Sequence, residues 1–176
     1  MSEVFDWGPV LAAARRGDLP LIRVGATAAL VAKEFGGRQP VYLATPYSRE
    51  VTDSLGAWCH ERSGALGRAA AAAAEDLRRL GVSAFAPIAL ADAMVRATGE
   101  FVANEFSGVR FVMRSDPLDA GAWGRWCQPF LNTCGALVIP EITGWDRSFG
   151  IAAEMRFALQ RGIPVYVYGG QGHDAD

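Results

Sequence analysis

Apolar residues fall along this chain in short unbroken runs, separated by stretches in which they recur three and four positions apart. The clearest run is residues 136–139, Ala-Leu-Val-Ile, closed by Pro140. Consecutive apolar residues ended by a breaker fit a strand buried on both faces. A loop covers 141–147, and Ile151, Met155, Ala158 and Leu159 then mark one face of a helix beginning at Ser148. Gly162 ends that helix, and residues 163–168 (Ile-Pro-Val-Tyr-Val-Tyr) read as the next strand. Strand, crossover helix and strand form a βαβ unit whose strands run parallel.

The same reading extends over the rest. Residues 40–44 form a strand that enters the loop Thr45-Pro46-Tyr47-Ser48-Arg49. Residues 53–80 are expected to be mostly helical, firmly so in the Ala-rich second half that ends at Gly81. Residues 82–86 form a strand ended by Pro87, and 89–97 a short helix carrying Asp92. The 98–120 region is the least regular; 109–113 fits a strand or part of a flap, and Asn104, Glu105, Arg114 and Asp116 lie there unranked. Residues 121–133 read as a helix, with Trp123 and Trp126 on one face as core or interface residues. Residues 7–16 and 26–35 fit helices and 21–24 a strand, so residues 1–38 are expected as an extension packed on the core, before an α/β domain at 39–176. Strands alternating with helices predict a parallel sheet of four to five strands with helices on both faces.

Composition narrows the function. A chain of 176 residues suits one domain with a sizeable core. A net charge of −2 and a pI near 5.7 argue against a nucleic-acid polymer as partner, which calls for a clustered basic face. No apolar run reaches membrane-spanning length. Cys59, Cys127 and Cys134 make no CxxC pair and His60 and His173 are the only histidines, so neither a metal site nor a cofactor is expected. The odd cysteine count, and a start (Met-Ser-Glu-Val-Phe-Asp-Trp-Gly) without a signal pattern, suggest reduced thiols and a cytoplasmic setting. His60 reads as a helix-surface residue, and His173 sits in a polar tail.

Ligands of parallel α/β sheets sit beyond the carboxyl ends of the strands, which here points to residues 144–154. Ser148 is a candidate N-cap whose helix start favours an anion. Gly150 stands four residues before Glu154 on the same face, leaving space beside a carboxylate next to the apolar stripe. Partial burial would raise the pKa of Glu154 and make it a candidate nucleophile or general acid/base. A plain cap and a solvated glutamate satisfy the same spacing. Tyr47, Ser48 and Arg49 offer a ring, a hydroxyl and a cation, suited to a sugar or a phosphate.

Three pieces in this order resemble the nucleoside 2-deoxyribosyltransferase superfamily. They are Tyr42-Leu43-Ala44-Thr45-Pro46-Tyr47-Ser48, the segment 81–88 (Gly-Val-Ser-Ala-Phe-Ala-Pro-Ile), and Ser148-x-Gly150-x-x-x-Glu154. With the segment 144–155 the chain is more narrowly similar to a bacterial and phage branch, and the resemblance covers roughly residues 40–168. It implies a flavodoxin-like (Rossmann-like) fold and cleavage of an N-glycosidic bond, with Glu154 as nucleophile capturing the sugar carbon. A second acid should help the base leave or orient the sugar, and Asp146 and Asp92 are the candidates. Free-nucleoside transferases carry aspartate two residues before the matching glycine, whereas nucleoside 5′-monophosphate N-glycosidases carry serine there. Ser148 therefore favours a monophosphate, held by Ser48, Arg49 and Ser148 with Arg147 assisting. The resemblance also implies a homo-oligomer. The hydrolases usually place an acid where this chain has Cys127 or Gln128, and a polar residue or His where it has Ala89-Leu90-Ala91. Those departures keep open a module that binds a nucleotide or nucleotide-sugar without cleaving it, and a protein whose pocket is vestigial.

Overall fold

The computed structural model describes residues 5–104 and 108–169; Glu105 and His173 lie outside the described residues. Five parallel strands make the main sheet: β1 (Ile22–Val24), β2 (Val41–Leu43), β3 (Ala84–Phe85), β6 (Ala136–Ile139) and β7 (Val165–Val167). Their spatial order is β1-β7-β6-β2-β3. The register pairs Tyr42 with Leu137 and Val138 with Tyr166. Without β1, the strands follow the doubly wound order in which the second lies outside the first and the others build away on the far side. The fold is α/β and flavodoxin-like, and β1 occupies the fifth position of that order although it comes first in the chain. Residues 1–38 therefore contribute a strand to the sheet itself.

The pleat sorts the apolar strand residues onto two faces. Val41, Leu43, Ala136, Val138 and Tyr166 meet helices α2 (Ala28–Phe35) and α3 (His60–Arg79) through Val31 and Leu77. Tyr42, Leu137, Ile139, Val165 and Val167 face α1 (Gly8–Arg15), α5 (Ala120–Thr133) and α6 (Phe149–Gln160). Helix α4 (Pro87–Thr98) lies against α3, where a side chain at Gly67 would collide with Asp92. None of the helices described is long and apolar enough to cross a membrane.

Two stretches differ from the sequence reading. Helix α3 begins only at His60, because Asp53 accepts hydrogen bonds from the N–H groups of Leu55 and Ala57 at 2.8 and 2.9 Å. That local turn competes with the helix, and Thr52 bridges to Trp58 across it. The irregular region holds an antiparallel hairpin, β4 (Glu100–Asn104) with β5 (Gly108–Val112). Its aromatic side chains cover His60, whose ring lies 5.3 Å from that of Phe101 and 4.8 Å from that of Phe111. His60 is thus half-buried beneath the hairpin rather than a plain surface residue.

Trp7 joins the N-terminal segment to the core. It is 3 % exposed and meets Trp145 edge to face at 5.3 Å. Its loss removes packing at both ends of that contact. We expect Trp7→Ala to cost about 3–5 kcal/mol, read as a lower urea midpoint with the slope of the transition unchanged.

Candidate functional site

Strand order reverses between β2 and β6: the crossover through α3 leads one way from β2, and the crossover through α6 leads the other way from β6. A crevice opens at the carboxyl ends of these two strands. It has a volume of about 920 Å³, and its walls come from the 45–50 loop, the start of α4, helix α5 and the start of α6.

At its base stands Glu154. Four constraints place it. Gly144 turns the chain with φ 90°, at a point where a side chain would meet Glu50. A 3-10 turn, Trp145–Arg147, buries Trp145 and leads into Ser148. The Ser148 hydroxyl accepts from the Ile151 N–H at 3.3 Å and caps α6. Ile151, Ala152, Met155 and Ala158 then bury against the sheet, which sets the rotation of the helix and turns Glu154 toward β2. There the Tyr42 hydroxyl donates a 2.5 Å hydrogen bond to Glu154 Oε1. Burial pushes the Glu154 carboxyl up to about 7, opposed by that hydrogen bond. Burial and the neighbouring Glu154 charge raise Tyr42 far above the ordinary phenol range, so it remains a neutral donor. The Cys127 thiol beside Tyr42 is pushed up by burial to about 11 and stays protonated near neutral pH.

Space and charge complete the crevice. A Cβ at Gly150 would meet only Ser148 Oγ, at 3.7 Å, so the volume over Glu154 is open. The first N–H groups of α6, at Phe149 and Gly150, have no intrahelical partner. Ser48 and Arg49, both exposed, also line the crevice, from the loop after β2. Arg147 also lines the crevice, tied to Glu50 at 3.4 Å, so one carboxylate partly offsets its charge. The buried Thr45 hydroxyl has no hydrogen-bond partner among the described residues.

Tyr47 is held from behind. Its hydroxyl receives the Trp58 indole N–H at 3.0 Å and lies 3.0 Å from Ser63 Oγ. Ser63 donates to Asp92 Oδ1 at 2.7 Å, and Arg96 Nε donates to Asp92 Oδ2 at 2.7 Å. The Arg96 guanidinium also reaches the carbonyl and ring of His60.

Of the residues singled out in the sequence, Tyr47, Ser48, Arg49, Arg147, Ser148, Gly150 and Glu154 line one crevice. Asp146 does not: it is exposed on the outer side of the 3-10 turn, because Trp145 takes the inward position of that three-residue turn. Asp92 is 7 % exposed and turned into the α3–α4 contact, where it supports Tyr47 through Ser63. Arg114 and Asp116 are not among the lining residues, and Asn104 ends β4 in the hairpin. Trp123 and Trp126, read from the sequence as core or interface, line the crevice from α5. Tyr42 and Cys127 were not identified as site residues; an aromatic hydroxyl inside an otherwise aliphatic strand was the available signal for Tyr42. Among the described residues no three His, Cys, Asp or Glu side chains converge as a metal site would need.

Residues 39–170 match the family described as Domain of unknown function (DUF1937). The chain belongs to this family. The DUF1937 match contains β2, β3, β6 and β7 and every residue of the crevice named above, and leaves β1 outside it. Comparison with curated proteins finds no match.

The raised carboxyl has a consequence for stability. A folded-state pKa near 7 against an ordinary value of 4.5 means that folding favours the protonated form. This favourable contribution is full below about pH 4.5 and lost as pH rises through about 7. Glu154→Gln, which cannot ionise, is expected to be more stable than the parent at pH 8 by roughly 1–3 kcal/mol. The difference should shrink toward zero below pH 4.5, as measured by urea unfolding at both pH values.

Proposed function

We propose that this protein cleaves the N-glycosidic bond of a nucleoside or nucleoside 5′-monophosphate, by hydrolysis or by transfer to a second base, with Glu154 as nucleophile. The observation that carries this reading is Glu154 itself. It is a carboxylate with a raised pKa at the switch point of a doubly wound sheet, oriented by a neutral tyrosine donor and facing open space over Gly150. The resemblance of the Ser148-Gly150-Glu154 segment to the nucleoside 2-deoxyribosyltransferase superfamily supports the same assignment.

In the first step a Glu154 oxygen forms a bond to C1′ as the C1′–N bond breaks, and the base leaves with the bonding pair and acquires a proton from solvent. Positive charge building on the sugar ring is met by the carboxylate, whose second oxygen's position is set by the rest of the side chain held at Tyr42. Water, or the nitrogen of an incoming base, then attacks C1′, loses a proton to solvent and frees Glu154 as the carboxylate. Ser148, the open N–H groups at the start of α6, and Arg49 would hold a 5′-phosphate. Arg49 suits this better than Arg147, which Glu50 already engages.

A second reading, binding without cleavage, draws on one specific feature. Besides Glu154, the only carboxylate lining the crevice among the described residues is Glu50, paired with Arg147, so no free second acid among them stands ready to protonate the leaving base. Base release separates the two. Incubation with ribo- and deoxyribonucleosides and their 5′-monophosphates should yield free base, lost by about 10³-fold or more in Glu154→Ala. A clear thermal shift with no base release would favour the binding module.

Two further outcomes follow from the geometry. The nucleophile must be ionised, so kcat/KM should rise as pH climbs through about 7, the value at which burial holds Glu154. Tyr42→Phe removes the hydrogen bond that lowers this pKa, so the acid limb of its profile should move to higher pH. In Ser148→Asp the helix cap is retained but a second negative charge faces the anion site. Its kcat/KM for monophosphates should fall by about tenfold or more relative to the corresponding nucleosides.

A further inference from the structure

The polar and apolar linings of the crevice are segregated. Arg49, Ser148 and Glu154 stand on the loop after β2 and the start of α6. The opposite wall, from α4 and α5, presents Pro87, Ile88, Trp123 and Trp126. The Trp123 indole N–H is already donated to the Asp116 carbonyl at 3.0 Å and Cys127 lies against Tyr42, which leaves the Trp126 indole N–H as the one donor that α5 offers a ligand on this wall. An unsubstituted nucleobase carries donors and acceptors around its edge. Placed against this wall it would lose their hydration and find at most the Trp126 indole N–H as a partner. The crevice, about 920 Å³, also lies toward the upper end of the roughly 300–1,000 Å³ usual for small-molecule sites. The small residue Gly124 keeps the apolar end open, and a Cβ there would meet nothing within 4 Å.

We propose that the base held in this site carries an apolar substituent, so that the ligand is a nucleoside 5′-monophosphate with a hydrophobic, planar or near-planar extension of its base packed between α4 and α5. The proposal rests on the reading that the polar end takes the sugar and phosphate. The two tryptophans supply flat apolar surface for such a group, and the aliphatic residues of α4 close the other side. Selectivity then comes from apolar burial at one end and anion binding at the other, with the Trp126 indole N–H as the one donor of this wall for the base edge.

The test is isothermal calorimetry on full-length Glu154→Gln, which retains the crevice without turnover. The ligands are adenosine 5′-monophosphate with its N6-benzyl derivative, and 2′-deoxyuridine 5′-monophosphate with its 5-propynyl derivative. At least one substituted compound should bind about tenfold or more tightly than its parent. Adding Gly124→Leu, which fills the apolar end and favours the helix over glycine, should bring the two affinities together. Equal affinity of both substituted compounds and their parents would overturn the substituent proposal and leave the glycosidase reading standing. Failure of all four monophosphates to bind would overturn the substituent proposal together with the 5′-monophosphate reading on which it rests.

Discussion

The hydrogen bond from Tyr42 to Glu154 is the contact on which the site depends, because it joins the middle of the sheet to the first turns of the helix that carries the chemistry. It spans 112 positions in the sequence and measures 2.5 Å. Such a bond needs two registers to be right together. Tyr42 must face the α5–α6 side, which the pairing of Tyr42 with Leu137 and the burial of Val41 and Leu43 on the other face enforce. Helix α6 must also start at one residue and no other, since a shift of one position would rotate Glu154 by about 100°. The left-handed Gly144, the inward Trp145 and the Ser148 cap fix that start. Burial then does two things to the pair: it raises the carboxyl toward neutral pH and keeps the phenol un-ionised.

The loop after β2 is organised differently. Tyr47 stands on a loop, and a loop side chain is held only as well as its partners hold it. Here the partners form a chain of polar contacts through Ser63 and Asp92 to Arg96 and His60. The close approach of α3 and α4 that permits this chain requires glycine at 67, where a Cβ would lie 2.8 Å from Asp92 Oδ2. Arg96 has no acceptor atom, so its 2.7 Å contact with His60 Nε2 assigns that nitrogen as the acceptor. The hairpin covers this end with Phe101 and Phe111, which withdraws the network from water and strengthens each of its bonds.

Much of the site was legible because it is local. The βαβ unit, the Ser148 cap, the open space over Gly150 and the raised Glu154 carboxyl all follow from spacing within about one turn or one strand. What failed was long-range or depended on rotation. A strand buried on both faces has no polar alternation to reveal which side Tyr42 takes. Asp92 and Arg96 sit at i, i+4 on the face of α4 that meets α3, whereas Pro87, Ile88 and Ala91 face the crevice, and the sequence of α4 does not tell the two faces apart. Asp146 is a candidate second acid in the sequence, but a 3-10 turn spreads three residues around a full circle and directs it outward. The β4–β5 pairing was hidden for the reason that hairpins often are: its strands are stabilised by cross-strand aromatic contacts and by His60, a residue forty positions away in the chain from Glu100.

The N-terminal strand shows why the crevice cannot be understood from the matched family region alone. Within residues 39–170 the sheet ends at β7, whose outer edge would present unpaired N–H and C=O groups to solvent. Strand β1 pairs along that edge, from Ile22 against Val165 to Val24 against Val167, although it precedes every other strand in the chain. The same segment brings Trp7 onto Trp145. Trp145 belongs to the turn that sets the start of α6, and the start of α6 sets Glu154. A segment that touches none of the crevice therefore bears on the position of its carboxylate, through one edge-to-face aromatic contact and the turn that contact backs.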